Sequence, residues 1–227
     1  MITVPVVWLA SYPRSGNTFL RTIIYHCFGV RSASIYDEDM GELGPARLIG
    51  HIEQGPDGSM DFGDEPVRLI KTHHPPQDDR PAIYIVRDGQ AATMSMFEFY
   101  NRRMPLQAII EGRNLFGSWG GHLRRWHPLE RPNTLFLRYE EVLADTRTTV
   151  DKLAEFLNLK PNSYIVPSRE DLARADGKWI RPERKDRPQL LGADLEAFWK
   201  KNGEQMLAYG YARLSGPDSP TRLNRQP

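Results

Sequence analysis

Short runs of consecutive apolar residues alternate along this chain with longer segments in which apolar side chains recur every three or four positions. The short runs are rich in β-branched and aromatic residues, which is typical of strands buried in a core. Because parallel strands covered on both faces read as continuous apolar runs, the pattern favours that kind of sheet. Strands are predicted at residues 4–10, 67–71, 82–87 and 134–139.

The longer segments predict helices. In the first segment, Phe19, Ile23 and Cys27 share one face, and the pattern begins at Thr18 and stops at Gly29, a residue type that commonly ends a helix. Residues 53–66 are rich in Gly, Asp and Pro and predict an exposed loop. Further helices are predicted over residues 88–100, 115–126, 150–157 and 195–209.

Strands that alternate with helices indicate a parallel sheet with helices on both faces. The predicted fold is a single α/β domain over residues 1–212, with a central parallel sheet flanked by helices, followed by a disordered tail at residues 213–227. Ligands of such sheets bind beyond the carboxyl ends of the strands. The polar stretches SYPRSGNT, KTHHP and RDGQ each follow a predicted strand, so we expect them to converge.

Composition narrows the class of partner. Thirty basic residues stand against 29 acidic ones, for a net charge of +1, so no overall field favours nucleic acid or an anionic membrane, and any anion site is local. Cys27 is the single cysteine, which excludes a disulfide framework. The apolar N-terminal stretch has no basic leader and is too short to span a bilayer. We expect a cytoplasmic enzyme with no nucleic-acid partner and no membrane span.

The stretch after the first strand predicts a P-loop-like phosphate-binding loop. Ser15, Gly16, Asn17 and Thr18 are small or polar and stand at a helix start, where unpaired amides and the helix dipole favour an anion. Arg14 adds a fixed positive charge. The loop lacks the Gly-Lys-Ser/Thr ending of ATP-binding loops, and an ordinary helix cap would explain the same residues.

Two further stretches carry candidate chemistry. Arg87 ends a strand, and Ser95 lies eight residues on, about two helical turns, so both side chains could reach one phosphate. A surface ion pair is the alternative for Arg87. Lys71 and His73 lie at the end of another strand, and a histidine can take a proton from an acceptor at neutral pH. His74 is an equal candidate on composition, and a loop histidine packed beside a proline is the alternative.

Together these stretches resemble the cytosolic-type sulfotransferases that use 3′-phosphoadenosine 5′-phosphosulfate (PAPS) and release adenosine 3′,5′-bisphosphate (PAP). SYPRSGNTF is similar to their 5′-phosphosulfate loop, Tyr-Pro-Lys-Ser-Gly-Thr-Thr-Trp, RLIKTHHP to their Lys-Thr-His segment and VRDGQAATMS to their 3′-phosphate motif. FGSWGGHLRRW and LFLRYEEV also resemble family segments, in the family's order. The similarity runs from about residue 6 to residue 158, and weakly to Tyr211. Five motifs in order predict a PAPS-dependent sulfotransferase.

The resemblance implies a cofactor site. Residues 14–18 would hold the 5′-phosphosulfate, and Phe19 falls where the family stacks a Trp on the adenine. Arg87 and Ser95 would bind the 3′-phosphate. Tyr139 would contact the adenine.

The resemblance also implies the transfer chemistry. His73 would deprotonate the acceptor, Lys71 would stabilise the sulfonate, and Arg14 would neutralise the leaving phosphate. The expected reaction moves a sulfonate group in line to a hydroxyl or amine of a small-molecule or glycan acceptor, without a metal ion. No Cys-based zinc site is available.

The chain departs from the family pattern at three places. Arg14 replaces the loop Lys and keeps its charge, which serves a phosphate leaving group that needs charge neutralisation. Phe19 replaces Trp and keeps a face for stacking. The family's late Arg-Lys-Gly motif is present only as Arg184, Lys185 and Asp186. The first two are assigned to the cofactor site, whereas the carboxylate of the third opposes an anion.

Two other functions fit parts of the pattern. A P-loop-type nucleotide or small-molecule kinase would use Asp88, at a strand end, to bind Mg²⁺, and a magnesium requirement would identify it. A non-catalytic nucleotide-binding module would keep the pocket without turnover. The acceptor is expected near residues 97–104 and 119–126, although core packing explains Trp119 and Trp126 equally well.

Overall fold

The computed structural model describes residues 5–36, 45–175 and 188–212. Within these ranges, five strands form one parallel sheet in the order β2-β3-β1-β4-β5. The strands are β1 (Val6–Ala10), β2 (Ser32–Ser34), β3 (Arg68–Thr72), β4 (Ala82–Val86) and β5 (Thr134–Arg138). This arrangement confirms the predicted α/β class with a central parallel sheet flanked by helices.

The first helix has the boundaries that its sequence predicts, to within one residue. It starts at Asn17, ends at Phe28 and is capped by Gly29, whose backbone takes the left-handed conformation at φ 73° and donates its N–H to the Tyr25 carbonyl. The helices of the described residues are α1 (Asn17–Phe28), α2 (Pro45–Leu48), α3 (Gly89–Phe99), α4 (Leu106–Glu111), α5 (Trp119–Trp126), α6 (Tyr139–Ala144), α7 (Thr146–Leu157), α8 (Arg169–Ala175) and α9 (Gly192–Ala208). None of them is both long and apolar enough to cross a membrane.

The core lies in two layers, one on each face of the sheet. Strand β4 shows the division, because all five of its residues are buried and successive side chains point to opposite faces. Ile83 and Ile85 pack in the layer formed with α1 and α7. Tyr84 and Val86 pack in the layer formed with α3, α5 and α9. The site therefore rests on strands held from both sides.

The register of the central strands brings the three polar stretches together. β1 lies between β3 and β4, and Ala10 pairs with both Thr72 and Tyr84. Because all three strands are parallel, their carboxyl ends meet at one edge of the sheet. The predicted convergence of the loops after β1, β3 and β4 is confirmed.

Three local features differ from the sequence prediction. β2 was missed because its three residues, Ser-Ala-Ser, have no apolar run. α5 begins at Trp119, and Leu115 lies outside it with 71% of its surface exposed. The loop of residues 53–66 is largely exposed as expected, but Phe62 is buried and packs with Ala33 and Ile52.

Candidate active site

The loop between β1 and α1 closes tightly around a glycine. Arg14 and Gly16 both have positive φ angles, 64° and 99°. A Cβ on Gly16 would lie 2.3 Å from Cδ2 of Tyr139, so only glycine fits. α1 starts without a hydrogen bond from a capping side chain. The first amides of the helix are thus available to an anion, as the sequence predicts.

Two buried polar atoms of this loop have no hydrogen-bond partner among the described residues. They are Oγ of Ser15 and Oδ1 of Asn17, and the two residues are only 1% and 4% exposed. Buried polar groups are almost always hydrogen-bonded, and exceptions call for a physical reason. The Ser15 hydroxyl is a donor that suits a phosphate oxygen, so the loop fits an anionic ligand.

The phosphate loop is joined directly to the second predicted phosphate motif. Arg87 donates from one guanidinium nitrogen to the Arg14 carbonyl at 3.0 Å, and Arg14 donates from Nε to Oγ of Ser95 at 3.3 Å. The Arg14 guanidinium lies 4.8 Å from the ring centre of Phe99, and that of Arg87 lies 5.0 Å from the ring centre of Tyr139. Each of the two guanidinium groups therefore lies over its own aromatic face, and the two residues are joined through the Arg14 carbonyl, as a local basic site in a nearly neutral chain.

Lys71 and His73 meet at the side chain of Tyr36, a residue that the sequence did not single out. Lys71 is buried, and its Nζ lies 5.6 Å from the Tyr36 ring centre. The backbone N–H of His73 donates to the Tyr36 hydroxyl at 2.7 Å, and the two rings stack at 5.6 Å. Tyr36 follows β2, so the missed strand also concealed this contact.

The two adjacent histidines have different surroundings. Nδ1 of His73 lies 2.8 Å from the Ser11 carbonyl oxygen, at the root of the phosphate loop. The rings of both histidines pack against Tyr36 and Phe116, so these aromatic contacts do not distinguish them. Of the two, His73 is the one that contacts Ser11 at the root of the phosphate loop; its role as the base stays a prediction.

Helix α5 supports the ends of two site strands through its tryptophans. Nε1 of Trp119 donates to the Arg87 carbonyl at 3.1 Å, and Nε1 of Trp126 donates to the His74 carbonyl at 2.8 Å. Both indole rings are 1% exposed. Of the two explanations that the sequence left open, core packing is the one observed for these residues, with each indole N–H used to fix a strand end.

His122 makes a third such contact from α5. Its Nε2 lies 3.0 Å from the His73 carbonyl, and its Nδ1 lies 2.7 Å from the Tyr84 hydroxyl. Because a carbonyl only accepts, Nε2 donates and Nδ1 accepts the tyrosine proton. Burial lowers the pKa of His122 to about 3, so this ring is neutral and serves as scaffold.

Asp88 is engaged as a helix cap. Its side chain accepts from the Ala91 N–H at 2.8 Å, and its own N–H donates to Glu140 at 2.9 Å. Tyr211 donates to the other oxygen of Glu140 at 2.9 Å. Burial raises the pKa of Asp88, and the nearby Glu140 charge adds to that effect. These contacts weaken the case for Asp88 as a magnesium ligand.

The remaining predicted cofactor residues divide into three groups. The Tyr139 ring lies against Gly16 and under Arg87, in the joined basic site. Phe19 is partly buried and packs against the α1 core layer, and Thr18, at the start of α1, is partly exposed. Arg184 and Lys185 lie outside the described residues. Within the described part of the chain, no three His, Cys, Asp or Glu side chains are grouped to hold a metal ion.

The phosphate loop lies at the carboxyl edge of a parallel sheet, and the basic side chains of Lys71 and His73 lie next to it. This arrangement is typical of an α/β protein that binds an anionic ligand. The family within that class follows from comparison with known proteins. The chain belongs to the sulfotransferase domain family, which matches residues 5–190.

Individual relatives agree with this family. The chain is 27% identical over 184 residues to Sulfotransferase 1E1 of Homo sapiens, covering 70% of this chain and 60% of that protein. It is 28% identical over 234 residues to Sulfotransferase 2A1 of Macaca fascicularis, covering 86% and 78%. The crystal structure of mouse sulfotransferase SULT7A1 complexed with PAP shares the fold, with a TM-score of 0.51, 19% identity and coverage of 90% and 81%. The chain thus spans about 60% of the length of curated relatives such as the human protein.

Proposed function

We propose that this protein transfers the sulfonate group of PAPS to a hydroxyl or amine of a small-molecule or glycan acceptor. The observation that carries the proposal is the direct joining of two anion-binding motifs through Arg14, which contacts both Arg87 and Ser95. A nucleotide with an anionic group at each of two positions, 5′ and 3′, matches two adjacent basic motifs. Membership of the sulfotransferase family supports the same conclusion.

The described residues fit the donor nucleotide at its 5′ end. The uncapped start of α1 and the unpartnered hydroxyl of Ser15 offer donors to a phosphosulfate. Arg14 brings a positive charge to the same loop. At the 3′ end, Arg87 and Ser95 supply a guanidinium and a hydroxyl, and Tyr139 supplies an aromatic face beside them.

In the proposed transfer, the donor supplies the sulfonate group and the phosphate leaving group, and the protein carries out three tasks. His73 takes the proton of the acceptor hydroxyl or amine as that atom bonds to sulfur. Lys71 and Arg14 place positive charge beside the sulfonate and the leaving phosphate. Tyr36 contacts both Lys71 and His73 and holds them at one side of the loop.

The two alternative functions, a kinase and a non-catalytic binding module, agree less well with the same contacts. A kinase would need Asp88 for Mg²⁺, but that side chain caps α3. A binding module without turnover would not need Lys71 and His73 side by side against one tyrosine. The cytoplasmic location and the absence of a nucleic-acid partner stay predictions.

Nucleotide binding without magnesium tests the proposal. We expect calorimetry to show tighter binding of PAP than of AMP, because only PAP has a 3′-phosphate for Arg87. Loss of a charge-assisted hydrogen bond costs about 1.5–3 kcal/mol, so Arg87→Ala should weaken PAP binding by roughly ten-fold or more. Binding that depends on Mg²⁺, or equal affinity for PAP and AMP, would contradict the assignment.

A matched arginine provides the control. Arg138 ends β5, and its guanidinium lies 4.4 Å from the ring centre of Tyr211, much as Arg87 lies over Tyr139. Arg138 binds the carbonyls of Tyr209 and Gly210 rather than the phosphate loop. Arg138→Ala should therefore bind PAP like the wild type. An acceptor screen with labelled PAPS, analysed by mass spectrometry, then separates an enzyme from a binding module.

A further inference from the structure

Ser11 stands between two elements that the proposed reaction must coordinate. It follows β1, lies directly before the phosphate loop and is fully buried. Its carbonyl oxygen is 2.8 Å from Nδ1 of His73, and its hydroxyl oxygen is 3.2 Å from the same nitrogen. One residue therefore presents two oxygens to one ring nitrogen.

The short contact fixes the position of the proton on the His73 ring. A carbonyl oxygen can only accept a hydrogen bond, so a bare Nδ1 at 2.8 Å would set two lone pairs against each other. Nδ1 therefore carries the proton, and the lone pair of the neutral ring is on Nε2. This is the tautomer that a base needs if it accepts a proton on the side away from Ser11.

The Ser11 hydroxyl extends this contact into the phosphate loop. The Asn17 side-chain amide donates to it at 3.4 Å and to the Leu9 carbonyl at 2.9 Å. Asn17 is the first residue of α1, where the 5′ end of the donor is expected to bind. The chain of contacts runs from the start of α1 through the Ser11 hydroxyl to the His73 ring.

We propose that Ser11 is a positioning residue that holds the His73 ring in the Nδ1–H tautomer and, through Asn17, in a fixed orientation relative to the phosphate loop. The inference rests on the proposed function for the role of His73 as base. The tautomer and the orientation of the ring follow from the contacts alone, and they can be measured without any acceptor.

Nitrogen NMR of the His73 ring, at a pH where the ring is neutral, tests the tautomer. With a ¹⁵N-histidine-labelled full chain and His73→Gln to assign the signals, we expect the proton on Nδ1 in the wild type. A proton on Nε2 would overturn the proposal even if the protein transfers sulfonate. A proton on Nδ1 in a protein without transfer activity would support the positioning and reject the proposed function.

Kinetics of substituted proteins test the hydroxyl. Ser11→Ala should lower kcat roughly ten-fold, because one oriented hydrogen bond to the base is lost, while the KM for PAPS stays near the wild-type value. Ser11→Thr keeps a hydroxyl and should recover most of kcat. Thr149→Val is the control, because it removes a hydroxyl from another buried residue, and that hydroxyl donates to the Asp145 carbonyl within its own helix turn. Equal kcat for Ser11→Ala and Thr149→Val would overturn the role of Ser11.

Discussion

Two polar regions meet at the carboxyl edge of the sheet and treat their buried polar atoms in opposite ways. The phosphate loop leaves Oγ of Ser15 and Oδ1 of Asn17 without a partner among the described residues. Helix α5, on the other side of the strand ends, pairs every ring N–H of Trp119, His122 and Trp126 with a backbone carbonyl. The first region has polar atoms that a bound ligand could satisfy, and the second has hydrogen bonds that are complete within the protein.

The difference separates binding from stability. An unsatisfied buried polar group costs about 1–3 kcal/mol, so the loop is poorly satisfied until a ligand supplies the missing partner. The α5 contacts are complete without a ligand and hold the strand ends at all times. Substitutions in the loop should therefore change binding or rate, whereas substitutions beneath it should change the free energy of unfolding.

The largest effect is expected where the two regions touch, at the adjacent histidines. A general base contributes roughly 10²–10⁴-fold in rate, so His73→Ala should lose about that much in single-turnover transfer and still bind PAP. His74→Ala should lose far less, because the contact with Ser11 at the root of the phosphate loop is made by His73, whereas both rings pack against Tyr36 and Phe116.

The same pair of variants can reverse the assignment. If His74→Ala is inactive and His73→Ala is active, the base is His74 and the assignment from the Ser11 contact is wrong. The comparison is valid only if both variants unfold at similar urea concentrations. We expect that they do, because each variant keeps the backbone carbonyls of residues 73 and 74, to which α5 donates hydrogen bonds.

A smaller effect is expected in the support region, from the titration of His122. Its folded-state pKa is lowered to about 3 by burial, against about 6.5 in the unfolded chain. Only the unfolded state binds this proton between those values. Stability from the neutral ring is complete above pH 6.5 and is lost as the pH falls towards 3, by roughly 1 kcal/mol per pH unit.

Urea unfolding at pH 7, 6 and 5 measures this contribution. His122→Gln should show a smaller decline in unfolding free energy with falling pH than the wild type. His127→Asn serves as the control for removal of an imidazole outside the site, because the His127 side chain is 63% exposed. Parallel curves for the wild type and His122→Gln would mean that His122 is protonated in the folded protein.

The smallest effect compares one serine from each region. Ser15 and Ser118 are both buried near a helix start, but Ser15 Oγ has no partner whereas Ser118 Oγ accepts from the Gly121 N–H. Loss of a capping hydrogen bond costs about 1 kcal/mol, so Ser118→Ala should lower stability and leave PAP binding unchanged. Ser15→Ala should weaken PAP binding without lowering stability.

Thermal unfolding of these two variants measures the change in stability, and calorimetry measures the change in PAP binding. A Ser15→Ala protein that is less stable and binds PAP normally would show that the Ser15 hydroxyl has a structural partner. The proposed difference between the phosphate loop and helix α5 would then be wrong for this pair of serines.

The sequence was most informative where a pattern was long enough to repeat. Four strands and the longer helices were predicted, because continuous apolar runs and helical stripes mark elements that bury a face. The helices α2, α4, α6 and α8 were not predicted, since helices of four to seven residues are too short to show a helical period. The strand β2 was not predicted because Ser-Ala-Ser has no apolar run. Leu115 extended the α5 pattern by coincidence of spacing.

The candidate site was predicted in its motifs but not in its supports. Local spacing placed Arg14, Arg87 and Ser95 together, since each motif is a continuous segment at a strand end. The contacts of Tyr36 and His122 with His73 were not predicted, because the two residues lie 37 and 49 positions away from it in the sequence. Contacts between remote side chains depend on how the elements pack, and a single sequence carries no local signal for that.

The three ring contacts of α5 also tie the assembly of the site to the folding of the chain. Each contact closes a long separation along the sequence, 32, 49 and 52 residues, and contacts of this kind form slowly because a large loop must close first. The ends of β3 and β4 share one helix as their anchor, so fluctuations that detach α5 release both ends together. We therefore expect the amide protons at those two strand ends to exchange together, as one cooperative opening unit.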